Sequence, residues 1–208
     1  MKLFLRPPSA ERMAEMIHAR TEHEFTYASC GISREWPVES RSSQPKRKWV
    51  GKDLHLFRQS TVGRGEDDFR EACDWLRHGH CFDLSWVRCR TLRPLETGDT
   101  FAIEATAWGM CVVNFCRVIY LEDLSKDSSL HFSLGIGTLA DHVAVGEERL
   151  SIRRDKKTDD VDVLIESISR PSGLIPTLFD RYLRKQQNRF ALQTVANLKA
   201  KLASTGNR

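Results

Sequence analysis

Between residues 84 and 165 the chain is a succession of short segments in which apolar and polar residues alternate, and this pattern restricts the fold more than any other feature. A period of two is typical of β-strands with one buried face. Clusters of proline, glycine and aspartate separate the segments, as they do at the turns of β-hairpins. Because these connections are short, we expect an antiparallel meander. We predict strands at residues 54–62, 84–91, 100–107, 111–121, 130–136, 149–153 and 161–165.

Three helices are predicted around these strands. Ser9, which follows two prolines, is typical of a helix N-cap and predicts a helix at residues 9–22. An apolar stripe with helical spacing predicts a second helix at residues 66–78. The third helix follows the last strand, and Pro176 suits its first turn. The inner face of this helix recurs every three or four residues, at Ile175, Phe179, Tyr182, Gln186 and Phe190.

A strand, a helix, a six-stranded meander and a long final helix form, in this order, the helix-grip fold. We therefore predict an α+β protein in which a curved antiparallel sheet of about seven strands wraps the C-terminal helix, with an additional N-terminal helix. The apolar face of the sheet must be buried, and the long helix is the available partner. A cavity can lie between them. We predict a single domain over residues 1–208, with a mobile loop at 31–53 and the helix-grip core at 54–203.

The composition agrees with one globular domain that is stabilised by its own core. Of the 208 residues, 40% are hydrophobic, so neither disulfides nor metal ions are required for stability. The six cysteines form no CxxC pair, and the apolar start of the chain is shorter than a secretory signal. No run approaches the ~20 apolar residues of a membrane span. We therefore predict a cytoplasmic protein with reduced thiols and without a membrane span.

Several short stretches of the chain resemble a family that has no assigned activity. They are Gly63-Arg64-Gly65, Asn114-Phe115-Cys116-Arg117-Val118, Gly137-Thr138-Leu139, Gly146-Glu147-Glu148 and Ser169-Arg170-Pro171. The family is the uncharacterised domain of unknown function 1990 (UPF0548), and the resemblance runs from about Ser9 to Lys199. That family is itself similar to START-like and pollen-allergen-like ligand binders. The resemblance therefore implies a helix-grip fold, and it implies no particular reaction.

Alternation along the strands indicates which polar side chains face the core. Glu148 has the parity of Leu150 and Ile152, and Thr138 has the parity of the apolar residues in the preceding strand. We therefore expect an acid and a hydroxyl at the wall of the cavity.

The central strand is apolar on both faces, and its assignment is less direct. We take the face with Val113 and Phe115 as the inner one, which also turns Arg117 towards the cavity. An unpaired buried charge is costly, so we expect Arg117 and Glu148 to lie within salt-bridge distance. Four further residues complete the set of candidate ligand-binding residues: Asn114, Cys116, His142 and Tyr182.

A catalytic arrangement is a second hypothesis for the same residues. His142 titrates near neutrality and could act as a general base, with Cys116 or Thr138 as the nucleophile. The sequence identifies no group that would orient such a pair, and a triad is defined by geometry. The cluster His78-Gly79-His80-Cys81 lacks the second ligand pair of a zinc site. We predict no metal and no cofactor.

Three functions follow from these observations. The first is a binding module that holds a small hydrophobic molecule between the sheet and the C-terminal helix. The second is an enzyme of hydrolase or cyclase type that uses His142 and a carboxylate in the same cavity. The third is an interaction protein, because residues 170–208 hold eight basic residues against one acid and could attract nucleic acid. The basic residues of the helix face are Arg181, Arg184, Lys185 and Arg189. The sequence predicts no oligomeric state.

Overall fold

The computed structural model describes residues 2–28, 30–35, 47–50, 53–91 and 93–205. The strands are β1 (Lys2–Phe4), β2 (Arg47–Val50), β3 (Asp53–Arg64), β4 (Val87–Arg90), β5 (Thr100–Ala107), β6 (Met110–Ser125), β7 (Ser129–Thr138), β8 (Ala144–Asp155) and β9 (Asp160–Pro171). The helices are α1 (Ala10–His18), α2 (Gly65–Arg77), α3 (Leu174–Leu178) and α4 (Asp180–Thr205), and short 3₁₀ turns occur at Ile32–Glu35 and His80–Phe82.

The described strands form one antiparallel sheet in the order β2-β3-β9-β8-β7-β6-β5-β4, with β1 paired to β6. Strands β3 to β9 are the seven that the sequence predicted. The first of these pairs with the last, while β4 to β9 follow one another as a meander. Irregularities in register, one in β3 and one in β6, lie in the long strands, where a bulge increases the local twist. The helix-grip prediction is confirmed, and the sheet is curved.

Two short strands were not predicted. Strand β1 has three residues and β2 has four, so neither carries enough alternation to be recognised. Strand β2 and the 3₁₀ turn at Ile32–Glu35 belong to the segment 31–53 that was predicted as a mobile loop. Residues 36–46 and 51–52 of that segment lie outside the described residues.

The concave face of the sheet packs against α4 and α2. The side chains of Ala191 and Leu198 on α4 are fully buried in a core that includes β7, β8 and β9. The ring of Phe190 stacks on that of Phe82, with 5.5 Å between their centroids. Helix α4 therefore packs on the sheet along its second half, whereas its first half lines the cavity described below.

The convex face carries a second and smaller core. Helix α1 begins after Ser9, whose Oγ accepts a hydrogen bond from the N–H of Arg12, and it ends at His18, four residues earlier than predicted. Its buried residues Met13 and Ile17 pack with Phe115 of β6. Both faces of β6 are consequently covered. None of the described helices is long and apolar enough to cross a membrane.

Candidate functional site

A cavity of about 500 Å³ lies between the sheet and the first half of α4. Its walls come from β3 to β9, from the 3₁₀ turn at His80–Phe82 and from residues 142–143, which precede β8. The lining is predominantly apolar. It includes six aromatic rings, those of Phe82, Trp86, Trp108, Phe179, Tyr182 and Phe190.

Trp108 marks the place where the cavity meets solvent. It lies in the turn between β5 and β6, where it has a positive φ of 50°, and 64% of its side chain is exposed. Its ring stacks on Tyr182 at 4.5 Å and contacts Phe179 at 5.4 Å between centroids. The tip of the β5–β6 hairpin is thereby attached to the beginning of α4. The sequence identified this tryptophan only as part of a turn.

Glu148 is the acidic side chain that faces the cavity. In register it lies between Ile136 of β7 and Ser167 of β9, both of which also line the cavity. Burial raises the pKa of its carboxyl to about 7, because an apolar surrounding disfavours the charged form. Among the residues that the structure describes, Glu148 has no hydrogen-bond or ion-pair partner.

Thr138 and Asn114 also line the cavity, but the side chains of both accept hydrogen bonds from backbone N–H groups of residues 143–146. The Oγ1 atom of Thr138 accepts a hydrogen bond from the N–H of Gly146 at 3.0 Å and lies 2.9 Å from Thr26 Oγ1. The Oδ1 atom of Asn114 accepts from the N–H of Val143 at 3.1 Å. These two side chains fix the connection between β7 and β8. Thr138 faces the cavity as its alternation predicted.

His142 and Cys116 line the cavity without forming a catalytic pair. Burial lowers the pKa of His142 to about 4, and its Nδ1 lies 2.9 Å from both the N and the O atoms of Ala144. Burial also raises the pKa of the Cys116 thiol, so the reactive thiolate is disfavoured. Within the described part of the chain, His142 makes no hydrogen bond to Cys116 or Thr138. The arrangement therefore provides no activated nucleophile.

Arg117 does not face the cavity, and the predicted Arg117–Glu148 ion pair is wrong. Its Nε donates to Thr100 Oγ1 at 3.1 Å, and its Nη2 donates to the carbonyls of Arg20 and Thr21 at 2.8 and 2.5 Å. These partners lie on the convex side, where the Arg20 guanidinium also covers the Phe115 ring at 3.8 Å. The sequence argument failed because helix α1 buries that face of β6 as well.

The structure thus brings together six of the seven candidate residues: Asn114, Cys116, Thr138, His142, Glu148 and Tyr182. Two serines of β9 that line the cavity, Ser167 and Ser169, were not predicted, although they share the parity of Val163 and Ile165. Gln187 of α4, whose Nε2 donates to Ser169 Oγ at 3.0 Å, was not predicted either. Alternation in β9, continued two residues beyond Ile165, was the signal that could have found Ser167.

The basic side chains of α4 are partly engaged within the protein. Arg184 donates through Nε to Asp180 at 2.6 Å, and the guanidinium of Arg189 lies 4.6 Å from the centre of the Trp86 ring. Arg181 and Lys185 are exposed. A face on which two of four basic residues have local partners offers a smaller electrostatic footprint to a polyanion.

The histidines that follow α2 each have a local partner. His78 Nδ1 lies 2.8 Å from the carbonyl oxygen of Asp74, and His80 Nδ1 lies 2.8 Å from Asp83 Oδ2. In the part of the chain that the structure describes, no three potential metal ligands come together.

Several solved structures resemble this chain at low sequence identity. A hypothetical protein, jhp0584, from Helicobacter pylori is 13% identical, with a TM-score of 0.49, over 86% of this chain and 98% of that chain. A START superfamily protein from Mycobacterium smegmatis is 13% identical, with a TM-score of 0.45, over 74% and 99%. Human STARD10 is 8% identical, with a TM-score of 0.44, over 97% and 84%.

Sequence relatives cover nearly the whole chain. A UPF0548 protein from Dictyostelium discoideum is 29% identical over 211 residues, which is 97% of this chain and 96% of that protein. A UPF0548 protein from Arabidopsis thaliana is 27% identical over 88% of this chain and 89% of its own length. The model of the family described as a domain of unknown function (DUF1990) matches residues 27–197. The chain belongs to this family.

Proposed function

We propose that the protein binds one small, predominantly apolar molecule in the cavity between the sheet and α4. The observation that supports this most directly is the cavity itself, whose volume of about 500 Å³ falls within the usual range for small-molecule sites. Its wall combines aromatic rings with a few convergent polar groups, of which Glu148 has no protein partner. This combination is typical of a site that holds an apolar body and orients one polar group.

An empty apolar cavity is unfavourable, because the side chains that line it lack the dispersion contacts that they would make with a bound molecule. Their apolar surface also forgoes the free energy that its burial against a ligand would provide. A ligand restores both, and it stabilises the folded state in proportion to the logarithm of its concentration above Kd. Trp108 lines the cavity and is also exposed, so the cavity reaches the protein surface at this residue. The proposal therefore predicts that ligand binding raises the Tm of the protein.

A titration with N-phenyl-1-naphthylamine, which is uncharged at neutral pH and fluoresces in apolar surroundings, tests this. Ala105 of β5 lines the cavity, so Ala105→Phe is expected to fill part of it and to lower the affinity for the probe about tenfold or more. Ala200→Phe places the same group on the exposed side of α4 and serves as the matched control. Equal saturable binding by both variants, or none by the wild type, contradicts the proposal.

A hydrolase or cyclase in the same cavity has less support. Such an enzyme needs a base that reaches a nucleophile, and His142 instead contacts the backbone of Ala144. A polyanion-binding role is likewise weakened by the local partners of Arg184 and Arg189. Binding without turnover is the function that the geometry supports best.

We also infer a cytoplasmic location. All six cysteines are free thiols, and three of them, Cys81, Cys111 and Cys116, are buried. Free thiols are usual in reducing compartments. Imaging of a fluorescent fusion protein tests this inference, and secretion of the protein in oxidised form contradicts it.

A further inference from the structure

The charge distribution of the cavity is one-sided. Among the described residues that line it there is no lysine and no arginine. Its lining includes two acids, but the carboxylate of Glu147 points away and accepts the backbone N–H groups of Gly31 and Ser33 at 2.5 and 2.9 Å. Glu148 is therefore the acid that can place a negative charge inside the cavity.

The surroundings of Glu148 favour a positively charged partner. An ionised carboxylate in apolar surroundings is stabilised by an opposite charge within hydrogen-bond distance. Six aromatic side chains also line the cavity, and aromatic rings attract cations through their quadrupole. An anionic molecule, such as a fatty acid, would meet a like charge and no cation. A neutral alcohol would gain one ordinary hydrogen bond.

We propose that the molecule bound in the cavity is an apolar amine whose protonated nitrogen pairs with the carboxylate of Glu148. This inference rests on the proposed binding function and names the chemical class of its ligand. The apolar body lies against the aromatic rings of the wall, and the ammonium group lies beside Ile136 and Ser167, the register neighbours of Glu148.

Binding of the amine should depend on pH through Glu148. The other titratable groups that line the cavity, besides Glu147, are His142, Cys116 of β6 and Tyr182 of α4, and Cys81 of the 3₁₀ turn interacts electrostatically with Glu148. Helix α4 also contributes Gln186, Gln187 and Phe190 to the lining. Burial lowers the pKa of His142 and raises the pKa of both thiols, so none of them changes its charge between pH 5.5 and pH 7.5. The carboxyl of Glu148, with a pKa of about 7, does change.

Three molecules of one skeleton test the proposal: 1-naphthylmethylamine, 1-naphthylmethanol and 1-naphthoate. Calorimetric titrations at pH 7.5 should show the amine binding about tenfold more tightly than the alcohol, which is the usual size of one charge-assisted hydrogen bond, and the carboxylate binding weakest. At pH 5.5 the affinity for the amine should fall about tenfold or more, because Glu148 is then protonated. The affinity for the alcohol should stay nearly constant.

Variants assign the effect to one side chain. Glu148→Gln should remove the preference for the amine and its pH dependence while retaining binding of the alcohol. Glu148→Asp should keep part of both. Glu96→Gln removes the same charge from an exposed loop and should behave as the wild type.

The outcomes distinguish the two proposals. If the alcohol or the carboxylate binds as tightly as the amine, or if Glu148→Gln keeps the preference, the amine proposal is overturned and the binding function stands. If none of the three molecules and no neutral probe binds, the binding function fails, and the amine proposal fails with it.

Discussion

Glu147 and Glu148 are neighbours in β8, but their carboxylates lie on opposite faces of the sheet and have different hydrogen-bond partners and surroundings. Glu147 lies on the convex side, is 2% exposed and accepts two backbone hydrogen bonds from residues of the segment 30–35. Glu148 lies on the concave side beside the cavity, with no partner among the described residues, and its pKa is raised by burial. The carboxylate of Glu147 has its partners within the protein, whereas that of Glu148 faces the cavity.

The same contrast extends along the strands. On the convex face, Arg149 pairs with Glu166, and Ser133 hydrogen-bonds to Ser151 across β7 and β8 at 2.9 Å. Arg117 on this face binds two backbone carbonyls. On the concave face the polar groups are fewer, and the core there is apolar except at the cavity. The convex-face groups named here have partners within the protein, whereas Glu148 has none among the described residues.

The largest effect is expected where a convex ion pair is broken. Arg149→Met leaves the buried carboxylate of Glu166 without its partner and should lower the free energy of unfolding by about 3 to 5 kcal/mol. Chemical denaturation followed by circular dichroism measures this. The double variant Arg149→Met, Glu166→Leu removes both charges and should recover most of the loss. A loss below about 1 kcal/mol in the single variant would contradict the view that paired charges on the convex face stabilise the fold.

A smaller loss is expected at Glu147. In Glu147→Ala the N–H groups of Gly31 and Ser33 lose their acceptor, which should lower the free energy of unfolding by about 2 to 3 kcal/mol. The affinity for a neutral cavity probe should be unchanged within about twofold, since this carboxylate points away from the cavity. If Glu147→Ala abolishes probe binding in a folded protein, the two faces are not independent.

Substitution of the adjacent residue, Glu148, should instead raise the free energy of unfolding above neutral pH. The folded-state pKa of Glu148 is raised from 4.5 to about 7, so folding disfavours the ionised form. Its contribution to stability is therefore fully present below pH 4.5 and is lost as the pH rises through 7. Glu148→Gln carries no such charge, and at pH 8 it should be more stable than the wild type by about 3 kcal/mol.

At pH 4.5 the Glu148→Gln variant and the wild type should differ by less than about 0.5 kcal/mol, since glutamine and a protonated glutamate are nearly isosteric. Denaturation curves at both pH values test this. A difference that does not change with pH would show that Glu148 is ionised as easily in the folded protein as in the unfolded chain.

The sequence was sufficient to predict the sheet and which residues of β7 and β8 lie on its concave face. In β7 and β8, alternation is clear because one face carries the apolar residues of the main core, so the orientations of Thr138 and Glu148 followed directly. The long final helix followed from its stripe of apolar residues, but its predicted first turn is a separate helix, α3, and α4 begins only at Asp180. These signals are local, and tertiary packing did not override them.

The central strand could not be assigned in the same way. Strand β6 is covered on both faces, by the core under α4 and by α1, so Phe115 and Cys116 are both buried. The apolar residues of such a strand indicate that both faces are buried, but they do not indicate which face packs against which helix. The position of α1 depends on contacts distant in the chain, such as that between Arg20 and Asp141 at 2.7 Å. The orientation of Arg117 depended on this packing.

The central claim is that an apolar ligand binds in the cavity between the sheet and α4. Indole N–H signals in nitrogen–proton correlation spectra test it directly, because Trp86 and Trp108 line the cavity and Trp75 is buried in α2 away from it. Each signal is assigned with a Trp→Phe variant. On titration with N-phenyl-1-naphthylamine, the signals of Trp86 and Trp108 should shift together and saturate at one molecule per chain, while that of Trp75 stays in place. Equal shifts of all three signals, or no shift of Trp86 and Trp108 at saturating probe, would contradict the account.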